Sequence, residues 1–109
     1  MKSGSELIAI ERQEQIEKHN RTLSDDISYN KHYQLSQAAS LLCYVDEEEV
    51  GGEPNDEDDT HDFGSCCPSD WDSRKGGLWN KMMNKTYEQR LIIAGALIAA
   101  EIDRLQNIK

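Results

Sequence analysis

The sequence predicts an all-α domain, a small helical bundle interrupted by one long acidic loop. Three observations predict it. Apolar residues recur at helical spacing in three separate stretches. Two of these stretches begin with the spacing of a capping box, Ser3 with Glu6 and Thr86 with Gln89. Between the second and third stretches lies a segment too charged to bury the apolar area that ordering requires. At 109 residues the chain fits one domain, expected over 1–109, with a modest core.

The first helix is expected over about residues 5–19. Leu7, Ile8, Ala9, Ile10 and Ile16 supply its apolar stripe, and Glu11, Arg12, Glu14, Gln15 and Glu17 its polar face. A polar link with turn chemistry follows, Arg21 to Asp26. The second helix is expected over 31–45 with Asn30 as its cap. Leu35, Ala38, Ala39, Leu42 and Val45 fit one helical face, and the two alanines allow close approach of a neighbour.

Residues 46–70 hold two Pro, three Gly and eleven acids and are expected to form a flexible acidic loop. Trp71, Leu78 and Trp79 then return the chain to the core as aromatic and aliphatic anchors. The third helix is expected over 86–108, with Leu91–Ala100 apolar nearly all round. Such a helix lies centrally or is covered by a second copy, so a homo-oligomer through this C-terminal helix is expected. At ten residues the apolar run is about half of a bilayer span, so no membrane association is expected.

The net charge of −9 is local. Ten acids and no Lys or Arg lie within residues 46–62, which leaves eleven acids against twelve bases elsewhere. A chain charged in this way is not expected to coat nucleic acid. Three cysteines, Cys43, Cys66 and Cys67, with no secretory signal visible, point to a reducing, cytoplasmic setting.

No phosphate-binding glycine fingerprint or nucleophile elbow is present. Four constellations bear on function. Glu11 and Glu14, three apart on one helix face, with Asp25 and Asp26 in the link, have the oxygen donors for Mg²⁺ in nucleotide hydrolysis. Against that, an i, i+3 Glu series is ordinarily an exposed face. His61, Cys66 and Cys67 form one loose zinc-type cluster without a second ligand pair. Asp46, Glu47, Glu48, Glu49, Asp56, Glu57, Asp58, Asp59 and Asp62 offer a basic partner a nucleic-acid-like charge run, or simply a solvated one. Trp71 and Trp79 have faces for a base, and Arg12, Arg74 and Lys75 have charge for phosphate, set against plain core and plain surface roles.

Two segments carry a family likeness, Ala9-Ile10-Glu11-Arg12-Gln13-Glu14-Gln15-Ile16 and the run from Arg90 to Leu105 that contains Ala94-Gly95-Ala96-Leu97-Ile98-Ala99-Ala100-Glu101-Ile102-Asp103-Arg104. Together they resemble a small domain of phages and prophages, the N-terminal domain of dATP/dGTP diphosphohydrolase. Gln34 to Ala39 resembles its second helix, and Trp71-Asp72 with Trp79 resembles its aromatic stretch. The resemblance implies a helical scaffold, a nucleotide or nucleotide-derived ligand and a metal-binding acidic and histidine cluster. Where that cluster belongs, this chain reads Arg21-Thr22-Leu23-Ser24-Asp25-Asp26-Ile27-Ser28-Tyr29, without the Trp, the Glu or either His. The expectation is therefore a phage-type accessory protein that binds rather than turns over its ligand, to counter a host defence, with no cofactor. Two alternatives stay open: an acidic inhibitor of a host defence complex acting through residues 46–62, and a Mg²⁺-dependent dNTP diphosphohydrolase.

Overall fold

A computed structural model describes residues 1–18, 30–55 and 60–107. Asp25, Asp26, Asp56, Glu57, Asp58 and Asp59 lie outside the described residues, as does Ile108. The described part is mainly helical: α1 Gly4–Lys18, α2 Gln34–Leu42, α3 Leu78–Met83 and α4 Tyr87–Asn107. Between α2 and α3 lie two 3₁₀ turns, Glu47–Val50 and Gly64–Cys66, and an antiparallel pair, β1 Glu53–Pro54 with β2 His61–Asp62. No helix among the described residues is long and apolar enough to cross a membrane.

Helix α4 is the axis of the domain. Its main packing partners are α2 and α1, one on each side. Arg90 near the start of α4 bonds to carbonyls at the end of α2, and Arg104 near the end of α4 lies over the ring of Tyr33 at the start of α2. Those two ties run α2 antiparallel to α4. Ile8 lies against Gly95 and Arg12 pairs with Asp103 at 3.6 Å, so α1 runs parallel to it. A Cβ at Gly95 would come within 2.5 Å of Ile8 Cδ1. The missing side chain is thus what lets α1 approach there.

Leu35, Ala38, Ala39 and Leu42 of α2 meet Ile93, Ala94, Leu97 and Ala100 of α4 in the core, as the helical spacing requires. The alanines on both helices keep the contact close. Trp79, Met82 and Met83 of α3 close one end of the core, joined by Phe63 and Val50.

Several expectations need correction. Helix α2 is shorter than 31–45, and its cap is Tyr33 in the left-handed region (φ 64°), not Asn30. Asn30 instead accepts the indole N–H of Trp71 at 2.9 Å. The described part of residues 46–70, the expected flexible acidic loop, contains two 3₁₀ turns and the two-residue strand pair, and sends Phe63, fully buried, and Val50 into the core. In α1, Ala9 and Ile10 are exposed, while Gln15 is buried. The described part of α1 therefore meets α4 with polar groups as well as apolar ones.

Two buried arginines serve the frame. The Arg90 guanidinium donates to Leu42 O (3.3 Å) and Tyr44 O (2.6 Å), satisfying carbonyls that the end of α2 leaves unpaired. It also lies 5.6 Å from the Tyr87 ring centroid. Arg104 pairs with Glu101 one turn back on α4, both nearly inaccessible.

Candidate functional site

The polar segments between α2 and α4 build a cleft of about 260 Å³. Its walls are Asn55 just after β1 and Thr60 just before β2, His61 on β2, Lys75 and Gly76 in the turn before α3, and Asn80, Lys81 and Asn84 on and just after α3.

Asparagine amides hold these walls together. Asn84 Oδ1 accepts from His61 N at 2.8 Å, and its Nδ2 donates to His61 O at 2.9 Å and Asn80 O at 2.8 Å. Buried Asn80 accepts from Phe63 N at 2.7 Å and donates to the carbonyls of Ser73 (3.3 Å) and Arg74 (3.1 Å). At the mouth, Asn55 Nδ2 donates to Thr60 Oγ1 at 2.8 Å. Side-chain amides thus do here what ladder bonds do in a longer hairpin, because a two-residue strand pair cannot satisfy its own backbone.

With the amides committed, the groups left to meet a ligand are cationic or titratable. Lys75 and Lys81 are exposed, and among the described residues neither pairs with a carboxylate. His61 stacks obliquely on Phe63, ring centroids 6.0 Å apart. Two ammonium groups on one polar wall attract a multiply charged anion such as a phosphate chain. A second groove, about 230 Å³ between α1 and the start of α4, is lined mostly by Leu7, Ile10, Ile92 and Ile93 and has the character of a packing notch.

The residues expected to bind nucleotide scatter over the fold. Lys75 lies in the cleft. Trp79 is 1% exposed and donates its indole N–H to Phe63 O at 3.0 Å, so it is a core residue and offers no face to a base. Trp71 is half-buried, edge-on to Trp79 with centroids 6.0 Å apart. Arg74 is exposed and forms a two-pronged pair with Asp72, at 2.8 Å to Oδ1 and 2.7 Å to Oδ2. Those bonds draw the Asp72 carboxyl down to about 2. Arg12 belongs to the α1–α4 contact through Asp103.

Of the oxygen donors expected to hold Mg²⁺, Glu11 accepts a bond from Gln15 Nε2 at 3.2 Å, and Glu14 is half-buried on the same helix. Among the described residues no three acidic, histidine or cysteine side chains converge on a metal-sized point. The thiols of Cys66 and Cys67 are pushed up, in both cases mainly by burial, Cys67 to about 11. They are protonated at neutral pH and poor as ligands or nucleophiles. Of the acidic run, Asp46, Glu49 and Glu53 are exposed, and Asp62 is half-buried with its Oδ1 accepting from Gly64 N at 2.9 Å.

Sequence reasoning missed Lys81, His61 as a cleft wall, and both asparagine clamps. Their only signal was a pair of asparagines four apart, Asn80 and Asn84, with a third at Asn55. Comparison with known proteins finds no match to this chain among family models, curated proteins or solved structures.

Proposed function

We propose that the protein is a binding protein for a phosphorylated small molecule, a nucleotide or nucleotide-derived signal, held in the cleft of Lys75, Lys81 and His61. The observation that carries this reading is the pair of ammonium groups, unpaired among the described residues, on a wall whose amides are already committed. The likeness to a phage domain of nucleotide metabolism supports the ligand class. It also supports the setting, an accessory protein that counters a host defence by sequestration. Binding without turnover follows from the segment Arg21 to Tyr29, which lacks most of the family-type metal cluster. The same reading makes the protein a homo-oligomer through α4, with one cleft on each copy.

The test is native mass spectrometry of the purified protein with a mixed nucleotide pool and Mg²⁺. One unchanged nucleotide per chain is expected, and the double substitution Lys75→Ala with Lys81→Ala weakens binding by roughly tenfold or more, the effect of losing charge-assisted contacts. A hydrolysed nucleotide would overturn the non-catalytic reading and return attention to Glu11 and Glu14. Absence of any nucleotide adduct would overturn the ligand class. Pull-down from host lysate, with the exposed acids Asp46, Glu49 and Glu53 changed to amides, would then test the inhibitor alternative.

A further inference from the structure

Five large apolar side chains of α4 remain exposed: Tyr87, Leu91, Ile98, Ile102 and Leu105, each 39–50% accessible. They are not scattered. At 100° per residue all five fall within one narrow sector of the helix, opposite Ile93, Ala96, Leu97 and Ala100, which face the interior. The last four are separated by seven, four and three residues, the spacing of a coiled-coil seam. At its upper end the seam adjoins the exit of α2, because buried Arg90 binds Tyr44 O while lying against the Tyr87 ring. Tyr44 and Val45 there are 45% and 72% exposed.

We infer that this band is covered by a second copy of the chain, band against band about a two-fold axis; the inference rests on the homo-oligomer reading and names its surface. Three features select a second copy over other occupants. With ordinary residue areas the band together with Tyr44 and Val45 exposes on the order of 600 Å², at the lower end of the roughly 600–1,000 Å² per partner of specific interfaces. Of the charges on α4, Glu101 pairs with Arg104 and Asp103 with Arg12 within the chain, and Arg90 is buried, which leaves Glu88 as a lone exposed acid and no cluster of one sign to draw an oppositely charged partner. A heptad-type seam complements itself under a two-fold, whereas a lipid surface calls for a basic rim, and both basic residues of α4, Arg90 and Arg104, are buried. None of the cleft residues belongs to the band, so the band can be substituted without touching the cleft.

The experiment is sedimentation equilibrium of the full chain from nanomolar to about 50 µM, beside the double substitution Ile98→Glu with Ile102→Glu and the control Ile10→Glu. Ile10 is equally exposed but lies on α1. The wild type and the control are expected to dimerise. The double variant is expected to be monomeric with unchanged helical circular dichroism, its dissociation constant raised at least about 100-fold by burying like charges at the two-fold. Mixing Ile98→Glu with Ile98→Lys should restore association between the two variants. A wild type that stays monomeric overturns both the band and the homo-oligomer reading. A dimer indifferent to the band substitutions overturns the band alone and leaves the oligomer standing.

Discussion

The helical frame and the segment between α2 and α4 are held together by different physics. In the frame, α2 and α4 meet through aliphatic side chains and alanines, and removing that area from water is the main stabilising term. In the intervening segment Val50, Phe63, Trp79, Met82 and Met83 reach the same core. Much of the rest is fixed by directional bonds from Asn80, Asn84 and Asp62 to backbone groups. The difference explains where the candidate site lies. A segment held by polar clamps can leave lysines exposed beside a cleft, whereas an aliphatic interface has no room for them.

The sharpest way to probe the contrast is to damage each region once. Leu97 is fully buried at the centre of the α2–α4 contact. Leu97→Ala should cost about 3–4 kcal/mol in urea unfolding, transfer and cavity terms together. Amide exchange should accelerate in every helix at once, because the frame is one cooperative unit. A loss below about 1.5 kcal/mol, or acceleration confined to one helix, would show that the core between α2 and α4 is not what holds the frame.

Asn80→Ala damages the other region. It removes one side chain and strands the buried Phe63 N–H together with two carbonyl contacts. The expected cost is about 2–3 kcal/mol, the penalty of an unsatisfied buried donor plus lost bonds. Hydrogen exchange should accelerate at Phe63 and the cleft walls while α4 keeps its protection. If α4 loses protection to the same extent, the two regions form a single cooperative unit and the contrast fails.

The contrast also sets what was legible in the sequence. Helical periodicity located α1, α2 and α4, and both capping boxes recur in the structure: Glu6 N donates to Ser3 Oγ, and Gln89 N to Thr86 Oγ1, each at 3.2 Å. These features are local, so sequence spacing carries them. Helix α3 is six residues long, too short for a period to show, and was read as part of a loop with Trp79 as anchor. Its position depends on Asn80 reaching Phe63 seventeen residues earlier, a partnership no local pattern announces. Arg90 was equally illegible. Its charge reads as a surface residue, yet it is 1% exposed because the end of α2 brings carbonyls to it. Of the residues expected to bind nucleotide, only Lys75 was found in the cleft, since the pattern shows which residue types are present but not which wall they share.

The smallest expected effect concerns Asp72 and Arg74, at the border of the polar segment. Hydrogen bonds from Arg74 hold the Asp72 carboxyl at about 2, against an ordinary value of 3.8. The sign follows from the direction of the shift. A carboxyl lowered in the folded state contributes stability above its unfolded value, and that contribution fades as the pH falls from 3.8 toward 2. The pair is solvated, with Arg74 85% exposed, so screening leaves little of it as stability. Carboxyl-carbon NMR should therefore show Asp72 titrating near 2 in the wild type and moving back toward 3.8 in Arg74→Ala, while the melting temperature at neutral pH barely changes. A clear drop in melting temperature would mean that Arg74 organises the turn before α3 through more than this exposed pair, and the polar segment would then depend on charge as well as on its asparagine clamps.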